Sequence, residues 1–239
     1  MSVINPSLWL SYGHADAECS PVVRRFDEPI GCYVLEVGGN DNALARIMAL
    51  SGFRVTSVDL KAYTLESYVP ECPERHKHLV ADFCSLPADV TCDWQGAFDV
   101  VVSVSALEHF GLGTYLGSGA YQLDDVTAAR LIYDFLNPGG RAYLVLPVGG
   151  RYLQISKHWR VYDYASLLDR IVQRFEIVAI EFMLAEAVAD YNRAYHPLPD
   201  VKSGTPLSWQ QVMQNQNGFP GMVAYLKLRK PVKSGEVKR

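Results

Sequence analysis

Glu108 and His109, in the stretch FDVVVSVSALEHF, close an apolar run that reads as a strand. An imidazole titrating near 6.5 can take a proton from a hydroxyl at neutral pH, and a carboxylate beside it can share the task. His158, in KHWRVYDY, follows the next apolar run and is a further candidate base. Three acids stand at comparable places: Glu36 and Asp59 in VLEVGGNDNALARIMALSGFRVTSVDL, and Asp82 in HLVADF. Carboxylates beside a glycine turn repel a phosphate and attract a cation. An acid about 20 residues beyond such a turn is placed to accept hydrogen bonds from ribose hydroxyls. Asp82 with Phe83 is placed to hold and stack an adenine, a helix cap being the competing role for Asp82 alone.

These residues need strand ends to stand on. Short apolar runs alternate with helical patterns, the signature of a parallel sheet covered on both faces. The pattern predicts strands at 32–37, 54–58, 78–80, 99–104 and 142–146. NALARIMALSGF places Leu44, Ile47, Met48 and Leu50 at helical spacing and stops at Gly52. DDVTAARLIYDFLNPGG opens on an Asp cap and closes with Pro138-Gly139-Gly140. A further helix is predicted around 165–172, and RFEIVAIEFM and GMVAYLKLRK read as two final strands. Between those two, residues 184–220 are far too many for a hairpin connection and form an insertion.

Composition bounds the rest. A chain of 239 residues, 49% hydrophobic and 20% charged, suits one α/β domain with a full core. A formal charge of −4 gives no broad attraction to nucleic acid or to an anionic membrane. No apolar run reaches the roughly 18 residues that span a bilayer, and a cytoplasmic protein with no membrane insertion is expected. Five cysteines without a CxxC pair make a poor disulfide framework, and Cys72, His76, His78 and Cys84 fit no zinc spacing, so no metal is expected.

The turn after the first strand reads Gly38-Gly39-Asn40-Asp41-Asn42-Ala43, a weak match to the GxGxxG of dinucleotide sites, with Asn40 where pyrophosphate needs a glycine. Taken together, the Glu36–Asn42 turn, Asp59, Asp82 and the FDVVVSVSALEHF motif resemble the class I S-adenosylmethionine-dependent methyltransferases, over roughly 32–183. The resemblance implies a Rossmann-like α/β fold, doubly wound, with a mostly parallel seven-stranded sheet whose last strand is antiparallel. It implies S-adenosyl-L-methionine as cofactor. Glu36 and Gly38 would then contact its methionine portion, Asp59 the ribose, and Asp82 with Phe83 the adenine. Gly39 and Asn40 of the turn, Leu60 beside Asp59 and Ser103 of the fourth-strand motif join the candidate cofactor set.

SALEHFGLG and the stretch LPVGGRYLQISKHWRVYDYASLLD look further like the branch that methylates small molecules, sugars and glycans. A small-molecule or glycan acceptor is therefore expected, methylated on a hydroxyl with His109, Glu108 or His158 as base. Arg151, Lys157 and Arg160 would suit an anionic acceptor, a solvated loop being their plain alternative. Tyr115 and Tyr121 in GLGTYLGSGAYQL, with Tyr191 and Trp209 of the insertion, could stack on a sugar ring or other flat face. Two other readings stay open: a catalytically silent module binding S-adenosylmethionine or a nucleotide, and an NAD-dependent oxidoreductase, which Glu36 and Asn40 disfavour.

Overall fold

The computed structural model describes residues 4, 20–39, 43–62, 74–113, 124–155, 158–184, 206–214 and 222–232. After a short helix α1 (Ser20–Arg25), the chain enters β1 (Tyr33–Val37), whose last four residues are buried. Helix α2 (Leu44–Leu50) buries Leu44, Ile47 and Met48 and leads into β2 (Arg54–Asp59) past Gly52, whose φ is +100. Strand β3 (His76–Val80) and helix α3 (Ala88–Trp94) precede β4 (Phe98–Val104). Helix α4 (Asp125–Phe135) begins at Asp124, whose carboxylate accepts from the Thr127 amide, and leads directly into β5 (Leu136–Pro147).

Strands β1 to β5 are parallel, in the order β3-β2-β1-β4-β5. The chain crosses to the far side of β1 between β3 and β4, so the crevice between the ends of β1 and β4 is the switch point where such sheets bind ligands. The sheet continues through β10 (Met222–Arg229), antiparallel to both β5 and β8 (Glu176–Leu184). That is the expected seven-stranded arrangement, and a two-residue strand β9 (Pro206–Leu207) adds an eighth on β8.

Two apolar cores cover the faces. One joins Leu35, Val37, Val101 and Leu144 to Ile132 and Phe135 of α4 and to Ile171, and the other joins Val34, Val100 and Val102 to Leu44, Ile47 and Met48 of α2 and to Phe26. Leu35 with Val37 and Val34 thus take opposite faces, as the two-residue period of a strand requires.

Three elements differ from the sequence reading. Helix α4 does end before Pro138, but the PGG stretch belongs to β5. The tail of β10 pairs with it, Gly139 N–H donating to the Lys230 carbonyl and Lys230 N–H to the Gly140 carbonyl. The segment after β5 forms a hairpin, β6 (Leu153–Ile155) with β7 (Trp159–Val161), where a loop was expected. The helix predicted at 165–172 is α5 (Tyr164–Leu167), capped by Asp163, which continues as a wider turn over Leu168–Val172. The described part of the insertion adds β9 and helix α6 (Trp209–Gln214) at the C-terminal end of β8, level with the C-terminal ends of the parallel strands. Among the described residues no helix is long and apolar enough to cross a membrane.

Candidate functional site

The glycine pair after β1 is dictated by its neighbours. Gly38 has φ +75, and a Cβ on it would lie 2.4 Å from the Cβ of Ala106, in the turn after β4. A side chain at Gly39 would meet the carboxylate of Glu36 at 1.9 Å. Glu36 is buried, so the turn bends around its own acid, and the two glycines let the backbone pass between that acid and the β4 turn. Gly38 N–H donates to the Val58 carbonyl at 2.9 Å, tying the turn to β2. Asn40 lies outside the described residues.

The acids at the next two strand ends bond first to their own turns. Asp59 Oδ1 accepts from Lys61 N–H at 2.9 Å, and Leu60 is half-buried beside it. Below this turn the Ser57 hydroxyl lies 2.9 Å from His76 Nε2 and 3.0 Å from His78 Nδ1, while His78 Nε2 lies 3.0 Å from the Lys61 carbonyl. A carbonyl only accepts, so His78 donates to Lys61 through Nε2–H, and the Ser57 hydroxyl bridges the two imidazoles. Burial, with the neighbouring His78, holds the His76 pKa down to about 4. Both imidazoles are thus engaged with Ser57, Cys84 is packed in the core by the start of α4, and Cys72 lies outside the described residues. Among the described residues no three His, Cys, Asp or Glu side chains converge.

Asp82 combines the two roles weighed for it. Its Oδ1 caps the following turn by accepting from Cys84 N–H at 2.9 Å, while Oδ2 is buried with no hydrogen-bond partner among the described residues. A buried carboxyl oxygen in that state calls for a donor, which an exocyclic amine would provide. Phe83 corrects the sequence reading. Its ring is 2% exposed and meets Phe110 and Phe135 edge-on at 6.1 and 5.8 Å, so it is a core residue with no free face for an adenine. Ser103 is corrected likewise: buried, it donates to the Val37 carbonyl at 2.9 Å and clamps the end of β1 from which the glycine turn departs.

After β4, Ser105 has a φ of +46, a left-handed backbone that costs of order 1–3 kcal/mol outside glycine. Its hydroxyl oxygen is buried with no partner among the described residues. Sequence reasoning missed it, since a serine among serines carries no mark of backbone angle. Ala106 then packs on Gly38, and the single turn Leu107–His109 follows, with His109 N–H donating to the Ala106 carbonyl at 3.0 Å. The imidazole therefore stands one turn from the glycine cradle.

His109 Nδ1 lies 2.5 Å from the His158 carbonyl, which places the ring proton on Nδ1 and the lone pair on Nε2. Burial lowers the His109 pKa, the His158 carbonyl opposes that shift, and the cation of Arg160 adds to it together with His158. A neutral ring at physiological pH is the form a base requires. Glu108 is buried, with Oε1 3.8 Å from His109 Nε2. His158 contributes its carbonyl, and its own ring is solvent-exposed at the start of β7.

Of the expected acceptor contacts, Arg160 is overturned. It is 4% exposed, and its Nη1 donates to the carbonyls of Phe110 at 2.6 Å and Glu108 at 3.3 Å. Such a guanidinium is not offered to a ligand. Arg151 is exposed in the turn before β6. Trp209 is half-buried between Tyr164 and Phe182, with ring centroids 5.3 and 5.1 Å away, and anchors α6 to the sheet edge. Tyr115, Tyr121, Lys157 and Tyr191 lie outside the described residues.

Comparison with known proteins places this arrangement. A family model described as Caenorhabditis protein of unknown function, DUF268, matches residues 47–193. In sequence the chain is similar to the ubiquinone biosynthesis O-methyltransferase of Chromobacterium violaceum, 28% identical over 147 residues that make up 58% of this chain and 59% of the relative. The chain thus spans less than two thirds of that relative. In structure it is similar to the 1,6-didemethyltoxoflavin-N1-methyltransferase of Burkholderia thailandensis, solved with 1,6-didemethyltoxoflavin and S-adenosylhomocysteine bound. The TM-score is 0.51 at 14% identity, over 95% of this chain and 82% of that one. It is also similar to the [4+2]-cyclase SpnF, with a TM-score of 0.56 at 19% identity over 91% and 82%. The fold is the Rossmann-like one of class I S-adenosylmethionine-dependent methyltransferases, as the sequence implied.

Proposed function

Because the chain belongs to the DUF268 family and has the class I methyltransferase fold, we propose that it is an S-adenosylmethionine-dependent methyltransferase acting on a small-molecule hydroxyl, a sugar or glycan precursor first. The observation that carries the reading is the packing of Gly38 on Ala106, one turn before a histidine held in its basic tautomer. That contact sets a cradle for the donor beside a group able to take a proton from the acceptor.

The residues fit the cofactor. Glu36, Asp59 and Asp82 line three successive strand ends with negative charge and acceptor oxygens, which suit a ligand bearing ammonium, sulfonium, ribose hydroxyls and an adenine amine. Glu36 with Gly38 and Gly39 would hold the amino-acid portion, Asp59 beside Leu60 the ribose, and Asp82 Oδ2 the adenine amine. When bound, S-adenosylmethionine supplies an electrophilic methyl group on a sulfonium. His109 Nε2 takes the proton of the acceptor hydroxyl, and the His158 carbonyl steadies the charge that spreads to Nδ1–H. Glu108, at 3.8 Å, meets the imidazolium so formed. The acceptor approaches from the side of β7 and of residues 206–214, and we assign acceptor selection to the 184–220 insertion within a single domain.

The test is to incubate the protein with S-adenosylmethionine and the small-molecule fraction of a cell extract and to measure S-adenosylhomocysteine. Release above a no-protein control supports the reading. Binding of the donor without release favours the second reading, a use of this fold without methyl transfer, for which the [4+2]-cyclase SpnF is the precedent. Binding of NADH in place of S-adenosylmethionine would overturn both.

A further inference from the structure

We propose that Arg160 is a positioning residue that fixes His109 as a base, gripping the turn that carries it from both sides through the carbonyls of Glu108 and Phe110. The inference rests on the reading of His109 given above. The turn is held at two points: the carbonyl of His158, the residue before β7, takes the imidazole Nδ1–H, and two residues later the Arg160 guanidinium in β7 takes the backbone on either side of His109. Only one residue separates the two points, so the ring and its backbone are held in one frame.

The guanidinium faces a buried carboxylate on its other side, without a hydrogen bond to it among the described residues. Arg160 Nε lies 3.5 Å from Asp125 Oδ1, and Asp125 is fully buried at the start of α4. Asp125 also accepts from the Tyr162 hydroxyl at 2.9 Å and from Arg170 at 2.8 and 2.5 Å. A buried ion group of this kind costs desolvation that a packed apolar group would avoid, so its worth lies in fixing geometry. What it fixes is the turn Leu107–His109, against which α4 and β7 both pack. The titratable and charged groups around His109 are Glu108 on its own turn, His158 just before β7, Arg160 on β7, and Asp125 on α4 behind Arg160. Strand β5, the third element against that turn, ends in the apolar run 144–147. Arg160 is the fixed cation among them, and it adds to burial in lowering the His109 pKa.

The test follows His109 itself. The imidazole resonance, identified by its loss in His109→Gln, is titrated by NMR in the parent, in Arg160→Gln and in Arg160→Lys, and S-adenosylmethionine affinity is measured by calorimetry. With the cation removed, His109 in Arg160→Gln is expected to titrate at higher pH, and release of S-adenosylhomocysteine in cell extract to fall roughly tenfold or more with donor affinity unchanged. Arg160→Lys keeps the charge but loses the planar group whose Nη1 reaches both carbonyls while its Nε faces Asp125. It should leave the titration near the parent's while the Nδ1–H signal weakens through faster exchange, and it carries the test if Arg160→Gln does not fold. An unchanged titration in folded Arg160→Gln, or an unchanged Nδ1–H signal in Arg160→Lys, overturns the inference while His109→Gln stays inactive. Parental turnover in His109→Gln instead overturns the base reading, and this inference with it.

Discussion

At the ends of β2 and β3 the acids bond to backbone two residues on, Asp59 to Lys61 and Asp82 to Cys84, whereas the turn after β4 is secured by partners about fifty positions away. His109 is held by His158 and the Glu108 carbonyl by Arg160, 49 and 52 residues on. In the first region the acids serve their own turns, and Asp82 keeps one buried oxygen without a partner among the described residues. The second turns its charges on one another, and offers a single tuned imidazole. A donor site can be made from local turns because a cofactor brings its own donors and cation, but a base must be aimed, and aiming takes long-range partners.

The comparison can be broken most directly at His109. His109→Gln should lower turnover roughly 10²–10⁴-fold, leave donor affinity unchanged, and remove an acidic limb lying below pH 6.5, read from rate against pH. Next is Gly38→Val, which forces a branched side chain onto a φ of +75 and into Ala106. We expect a loss of about 3 kcal/mol or more of stability in denaturant, together with loss of donor binding, from backbone strain and overpacking. Asp59→Ala should weaken S-adenosylmethionine binding by about 1.5–3 kcal/mol in calorimetry and leave the fold standing. Asp82→Asn would sharpen the contrast. It keeps an oxygen for the Cys84 cap but turns Oδ2 into a donor, so binding should suffer while the melting temperature barely moves. The smallest effect is expected at His76. Its folded pKa near 4 lies below the ordinary 6.5, so the unfolded chain takes up a proton the folded chain refuses, and stability falls as pH drops between those values. His76→Gln should flatten that part of a melting-temperature profile.

The same contrast explains what the sequence disclosed. The strand ends, the glycine turn and the places of the three acids along the chain were legible because each depends on residues within a few positions, and the period of apolar residues gives the strands. Arg160 and Phe83 were misassigned for the opposite reason. An arginine between strands reads as a solvated or ligand-facing group until the carbonyls of Glu108 and Phe110 come round to meet it. A phenylalanine after an acid reads as a stacking ring until Phe110 and Phe135 enclose it. Ser103 failed similarly, since its partner, the Val37 carbonyl, belongs to another strand. The β6–β7 hairpin was hidden because its strands are three residues each, too short for a two-residue period to register.

The contact of Gly38 with the methyl group of Ala106 has a consequence in time as well as in space. With no side chain between them, neither turn can lift away without losing the surface of the other, so the two loops open together. The Gly38 amide is bonded to Val58 and the His109 amide to Ala106, one on each side of that contact. Their deuterium exchange should therefore share one rate-setting fluctuation, slowed in both when S-adenosylmethionine binds on one side. The donor, on arriving, would quiet the base before any acceptor is present.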